Sequence, residues 1–236
     1  VFAAGLEGVR PSTLKKVFDQ EVKLRTPRDN FYHTLVNSAH QFHMRVSDNE
    51  RYLLAGYPWF KVRARDMFIS LPGLTIAIQE NDYFKLVMDT AKKAIYEFMS
   101  GRPLTGLICE IEQPDVLLWA IWALQQYAHE MGNAIAYQEY GTFLEDMLRF
   151  IESGKHPNLE LKENGLLHIE GRDEPMTWMN STVNGKPVVP RTGYVVEINA
   201  LWYNALKFIA EMAISNGKPE KAAELDARAD IAKESF

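Results

Sequence analysis

Apolar positions recur at three- and four-residue spacing along most of this chain, a period that predicts helices. Thr13–Leu24 puts Leu14, Val17, Phe18 and Val22 on one stripe, and a second helix is expected over Phe31–Val46, before a loop at Ser47–Asn49. Met67–Ile78, Tyr83–Met99, Val116–Met131 and Ile135–Ile151 follow. Glu197–Ser215 and Pro219–Lys233 close the series, parted by Asn216–Gly217 as a helix stop and Pro219 as a helix start. The helices differ in kind. Val116–Met131 and Glu197–Ser215 are apolar nearly all round and should be buried on every side. Ile135–Ile151 and Pro219–Lys233 carry a charged face that belongs outside. This alternation predicts an all-α fold of layered hairpins, buried helices within and half-exposed helices without.

Strand signal is confined to Leu159–Ile169, where Asn164–Gly165 sits between two short alternating runs as a small β-hairpin. A second pair, Asn184–Gly185, marks a tight turn inside an irregular stretch from Gly171 to Gly193. An ordered loop of that length is usually functional.

Composition narrows the class. The 236 residues are 47% hydrophobic and 24% charged, the balance of a globular protein. No uninterrupted apolar run reaches roughly 18 residues, so neither a spanning helix nor a membrane partner is expected. The net charge is −5 and Lys and Arg are scattered, which speaks against nucleic acid. A single cysteine, Cys109, excludes an internal disulfide and fits a reducing, cytoplasmic setting. The five tryptophans pack a core or cover sugar faces, and position decides between the two.

Polar residues gather where the apolar helices begin. Arg65–Asp66 opens one, Asp115 a second and Glu197 a third, while Trp178, Asn180 and Arg191 lie in the long loop. Each acid alone reads as an ordinary helix cap. If the buried helices form an inner ring, however, their N-termini converge, and acids, guanidinium groups and tryptophans surround one cavity. Such a lining suits a neutral polyhydroxylated ligand, because carboxylates accept hydroxyl hydrogens and rings cover C–H faces. Other groupings carry less. His40 and His43, at i and i+3 on a helix, lack a third ligand and read as satisfied or surface residues. Cys109 beside Glu110 and Glu112 is a poor nucleophile, since neighbouring acids raise a thiol's pKa. Ser70, Ser100 and Ser181 lack a nucleophile-elbow setting, and no phosphate loop or dinucleotide fingerprint is present.

Five segments resemble one family. Ala55-Gly-Tyr-Pro-Trp-Phe-Lys-Val-Arg-Ala-Arg-Asp-Met-Phe-Ile-Ser-Leu-Pro-Gly-Leu74 resembles A-G-Y-P-W-F-x-x-W-x-R-D-T-x-I-x-L-P-G-L of the glycogen-debranching enzymes. Thr177-Trp-Met-Asn180, Val189-Pro-Arg191 and Val196-Glu-Ile-Asn-Ala-Leu-Trp-Tyr-Asn-Ala-Leu206 resemble T-W-M-D, T-P-R and V-E-I-N-A-L-W-Y-N-A-L. Pro114-Asp-Val-Leu-Leu-Trp119 is similar to D-x-x-L-W. The matches span about residues 50 to 215. The resemblance implies a glucoamylase-like (α/α)6 toroid and amylo-α-1,6-glucosidase chemistry on glycogen or branched α-glucan oligosaccharides. It implies inversion of configuration without metal or cofactor. Such a mechanism needs one carboxylic acid and one carboxylate base about 6.5–9.5 Å apart. Arg65 and Asp66 match residues that hold hydroxyls of the terminal glucose, and Trp178, Arg191 and Glu197 match pocket-lining positions; Trp59, Asp115 and Trp119 are expected to join them in binding substrate. Asn180, Glu174 and Glu197 are the positions expected to bear on the chemistry.

Departures qualify the transfer. The family's proposed acid is the Asp of T-W-M-D, and here Asn180 stands there; an amide cannot protonate a leaving group. Either a nearby acid such as Glu174 or Asp173 serves instead, or the chain binds glucan without cleaving it. Arg63 replaces a family Trp and Met67 a family Thr. Eight helices where six hairpins need twelve make residues 1–236 a single partial toroid domain, about two-thirds of the ring. On that expectation the base lies beyond Phe236, and this piece alone hydrolyses branched glucans poorly or not at all.

Overall fold

A computed structural model describes residues 8, 10–56 and 59–236. The chain divides into two compact units, a small one ending at Phe42 and a large one from His43 to Phe236. In the small unit, α1 (Pro11–Leu24) starts on a proline, which loses no helical hydrogen bond at that position. Helix α2 (Phe31–His40) is capped by Asn30, whose side chain accepts the His33 N–H at 2.8 Å.

The expected second helix therefore stops six residues early. From Phe42 to Val46 the sequence alternates apolar and polar, and tertiary pairing draws it into a strand. β1 (His43–Arg45) pairs antiparallel with β2 (Arg51–Leu53), matching His43 to Leu53. His40 and His43 consequently share no helical face. The His43 ring stacks on Tyr83 with centroids 4.0 Å apart, and its Nε2 lies 2.7 Å from the Leu74 carbonyl oxygen. Strand structure is also less confined than the sequence implied. β3 (Val62–Arg63) pairs in parallel with β4 (Ile108–Cys109). β5 (Glu160–Leu161) and β6 (Leu167–His168) form the expected hairpin. β7 (Thr182–Val183) and β8 (Lys186–Pro187) form another around Asn184–Gly185.

Six helices complete the large unit. They are α3 (Ala64–Leu74), α4 (Asn81–Met99), α5 (Val116–Met131), α6 (Asn133–Glu152), α7 (Val196–Ser215) and α8 (Pro219–Ser235). Helix α3 begins three residues before the expected Met67 and stops just after Pro72–Gly73, its continuation being a single 3₁₀ turn at Ile76–Ile78. The fold is mostly helical with small strand pairs, as expected. Helices α5 and α7 bury residues on most of their circumference, including Leu117, Ile121 and Tyr127, and Ile198, Trp202 and Phe208. Helix α8 buries only Ala222, Leu225, Ala229 and Ala232, a single stripe at helical spacing. Helices α4 and α6 likewise bury one face, joined by Tyr96 against Phe143 and by Lys85–Glu139 at 2.5 Å. Helix α5 contacts α3, α6 and α7, and α7 contacts α8 most extensively. The wholly apolar helices thus lie inside and the amphipathic ones flank them.

Candidate active site

Three inner helices run in the same direction. Arg65, in the first turn of α3, grips Asp115 at the N-terminus of α5, which sets those two ends side by side. At the other end, Asn81 Nδ2, past the end of α3, lies 3.5 Å from Met131 Sδ at the end of α5, and Asn133 Nδ2, just past α5, donates to Ser215 Oγ at the end of α7 at 3.2 Å. The N-termini of α3, α5 and α7 therefore share one end. Long side chains on that end come from positions some fifty residues apart in sequence.

The Arg65–Asp115 contact is a two-pronged fork, Nε to Oδ2 at 2.6 Å and Nη2 to Oδ1 at 2.8 Å. Only 8% and 1% of these side chains reach solvent. Gln113 Oε1 accepts a longer bond from Arg65 Nη2 at 3.4 Å. Asp115 makes no side-chain cap to its own helix, so the ordinary capping role is replaced by a cross-helix ion pair. Asp66, next to Arg65, points the other way: it is exposed, and its carboxylate bonds to nothing among the described residues.

The second grouping joins the long loop to α7. Arg191 Nη2 forms an ion pair with Glu197 in the first turn of α7, and Arg191 Nη1 lies 3.5 Å from Met179 Sδ. Arg191 Nε is buried with no hydrogen-bond partner among the described residues. Around these contacts the loop is closed at its base by Ile169 and Gly193, which exchange both backbone hydrogen bonds at 3.1 and 2.8 Å. Gly171 is indispensable to the closure, because a Cβ there would stand 2.1 Å from the Arg191 carbonyl oxygen. Thr177 adopts φ +64°, a costly conformation for a β-branched residue, and is fully buried. Its neighbour Trp178 is 62% exposed, while Asn180 is half-buried.

The site residues expected from the sequence thus fall into two linked pairs at one end of the inner helices, Arg65 with Asp115 and Arg191 with Glu197. Trp178 and Asn180 flank Met179 beside the second pair. The remaining expected residues are not tied to either pair by any hydrogen bond, ion pair or ring contact among the described residues. Trp119 is half-buried and meets Trp122 edge-on at 5.5 Å. Trp59 is exposed, and so are Asp173 and Glu174. Tyr57 and Pro58 of the first motif lie outside the described residues.

Sequence reasoning missed a third ion pair on this rim. Arg63 donates through Nε and Nη2 to Glu110 at 2.7 to 3.0 Å, and that carboxylate holds the guanidinium still more firmly charged. Parallel pairing of β3 with β4 brings the two together, Arg63 lying opposite Cys109. The one available signal was the Arg63 substitution itself, which puts a guanidinium where the family has an indole. Cys109 remains inert: burial and then Glu110 push its thiol pKa up, and its S–H points to the Val62 carbonyl at 3.4 Å. A separate cavity of about 300 Å³ lies beside α4, lined by residues including Glu50, Asp89, Lys93 and Glu97. There Glu50 accepts the Tyr52 hydroxyl, and Glu97 accepts the Thr105 backbone N–H and hydroxyl.

Asp115, Glu197 and Glu110 each accept from a guanidinium group of the chain itself. The exposed Asp66 and Trp178 offer an acceptor and a ring face to a neutral ligand. No curated protein matches the chain closely enough to count as a relative. Residues 36–236 match the family described as amylo-alpha-1,6-glucosidase. That match covers far more than half of the sequence and includes every motif and ion pair described above, so the chain belongs to the amylo-alpha-1,6-glucosidase family.

Proposed function

We propose that this protein is a glycoside hydrolase acting on α-1,6-linked glucose branches of glycogen-like α-glucans, and that its site is the shared N-terminal end of α3, α5 and α7. Family membership supports the reaction class. The observation that carries the location is the gathering of Arg65–Asp115 and Arg191–Glu197 beside the exposed Trp178. In this reading Trp178 stacks on a sugar ring, and Asp66 accepts hydroxyl hydrogens of the terminal glucose. Arg191 holds Glu197 in place by their ion pair and orients it toward the substrate. The hairpins α3–α4, α5–α6 and α7–α8 are consecutive parts of an (α/α)6 toroid. Inversion requires an acid and a base on opposite faces of the glycosidic bond. Glu174 supplies the acid if Asn180 cannot, and the setting is cytoplasmic.

A second reading follows from one residue. Asn180 occupies the position of the family's acid and cannot donate a proton to the leaving oxygen, which favours a glucan-binding protein without turnover. Glucose release from an α-1,6-branched dextrin separates the two. Release that rises with Asn180→Asp and disappears with Glu197→Gln supports the hydrolase. Retained dextrin binding with no release from either wild type or Asn180→Asp supports the binding protein. Absence of both binding and release refutes the pair.

A further inference from the structure

The large unit contains three Asn–Gly sequences, Asn164–Gly165, Asn184–Gly185 and Asn216–Gly217. Chemically they are alike. In each, the glycine nitrogen can attack the asparagine Cγ, because no side chain on the glycine obstructs its approach. The C–N bond forms, the bond from Cγ to the amide nitrogen breaks, and ammonia leaves with the proton lost by the attacking nitrogen. The cyclic imide then takes up one water at either carbonyl and opens to aspartate or isoaspartate. No oxidant or cofactor enters. The step requires a glycine N–H free of other bonds and an asparagine able to rotate its carboxamide toward it.

Structure distinguishes the three sites sharply. At Asn164–Gly165 the glycine N–H donates to Lys162 O at 2.9 Å, and its carbonyl accepts the Trp202 indole N–H at 3.1 Å. Asn164 Oδ1 accepts the Leu166 N–H at 3.2 Å, and a Cβ on Gly165 would stand 2.9 Å from Ile231 of α8. That turn is packed and fully engaged. At Asn216–Gly217 the glycine N–H donates to Ile214 O at 3.0 Å, and the Asn216 side chain donates to Met212 O at 2.8 Å. These bonds close the end of α7 where it turns into α8. Asn184–Gly185 has none of this. Both residues are exposed, Asn184 sits at φ +52° and Gly185 at φ +78°. Neither the Gly185 N–H nor the Asn184 carboxamide finds a partner among the described residues. The flanking β7–β8 hairpin has two residue pairs, one of them to Pro187, which lacks an N–H. Its side chains Thr182, Val183 and Lys186 are exposed as well. Beyond those pairs one further backbone bond, Val188 N–H to Ser181 O at 2.9 Å, holds the ribbon, and a ribbon this short opens readily.

We propose that Asn184 is the site at which this protein spontaneously deamidates in its native state, with water as co-reactant and ammonia as leaving group. The product puts a carboxylate, or an extra backbone methylene in the isoaspartate form, into the loop that bears Trp178 and Asn180. This inference is independent of the glycosidase reading.

The test follows all three Asn–Gly peptides by mass spectrometry during incubation of the whole chain in mildly alkaline buffer, once native and once unfolded in guanidinium chloride. In the native protein the Asn184 peptide gains about one dalton and splits into aspartate and isoaspartate forms. It does so at least roughly tenfold faster than the Asn164 and Asn216 peptides, since those two need larger openings. In guanidinium chloride the three rates converge. Asn184→Gln removes the native modification, and its unchanged circular dichroism shows that the fold is kept. Native conversion of Asn164 or Asn216 as fast as Asn184 overturns the proposal. An unchanged ranking in the unfolded chain does so too, because the difference then comes from local sequence rather than structure.

Discussion

Replacing Asp115 by Asn strands a charge in the interior. The Arg65 guanidinium has two short bonds, at 2.6 and 2.8 Å, and both end on the Asp115 carboxylate. With 8% and 1% of the two side chains exposed, water cannot take over as partner. Two unit charges about 4 Å apart at an effective dielectric of ~20 attract by roughly 4 kcal/mol. Breaking such a pair from one side typically costs about 3–5 kcal/mol, because the remaining ion stays buried and uncompensated. For a chain of this size that is a fall in melting temperature of roughly 6–20 °C. Removing both charges is a different perturbation. The Arg65→Met, Asp115→Leu double variant fills the space with apolar atoms and leaves no orphan ion, so it should lie well above Asp115→Asn in stability. Urea unfolding followed by tryptophan fluorescence and by helical circular dichroism measures all three proteins. If Asp115→Asn costs less than about 1 kcal/mol, the value of an exposed surface pair, the buried clamp between α3 and α5 is not what holds those helix ends together.

Further outcomes follow from other parts of the fold. Burial, with Phe98 and Phe150 edge-on to the ring, pulls the His156 pKa down from 6.5 to about 4. Because the folded value is the lower one, stability is complete above 6.5 and falls by about 3 kcal/mol as pH drops toward 4. His156→Phe should flatten that acid slope relative to wild type in urea midpoints, and an identical slope would refute the assignment. Asn180→Asp restores a group that can donate a proton and should raise glucose release by about 10²–10⁴ if the family's acid acts from this position. No change there, together with loss of turnover in Glu174→Gln, would assign the acid to Glu174. Gly171→Ala forces a Cβ against the Arg191 carbonyl oxygen. It should loosen the loop from Gly171 to Gly193, seen as faster proteolysis near Trp178, and unaltered cleavage would count against the closure described.

Helix positions were largely legible because long amphipathic runs carry a strong period. α5 was delimited to the residue, Val116–Met131, and α7 and α8 came within two residues at each end. The sorting into inner and outer helices was legible for the same reason, since burial follows the apolar circumference. What failed was local and short. His43–Arg45 and Arg51–Leu53 form strands only because they meet each other. The parallel pair Val62–Arg63 with Ile108–Cys109 joins segments too brief and too distant to leave a periodic signal. The motifs pointed to Arg65, Asp115, Arg191 and Glu197 as single residues, yet not to their pairing, because Arg65 and Asp115 stand fifty positions apart. The positive φ of Thr177 was invisible, as turn chemistry normally signals it with Gly or Asn.

The proposed function places a glucan-binding face where α3, α5 and α7 begin, with Trp178 as its stacking surface. Calorimetric titration of the protein with isomaltose, alongside Trp178→Ala and Asp66→Asn, tests that most directly. Saturable heat from wild type that falls at least roughly tenfold in affinity in both variants is the expected result, the size of one lost stacking or charged hydrogen-bond contact. An absence of binding heat, or binding that neither substitution changes, would contradict it.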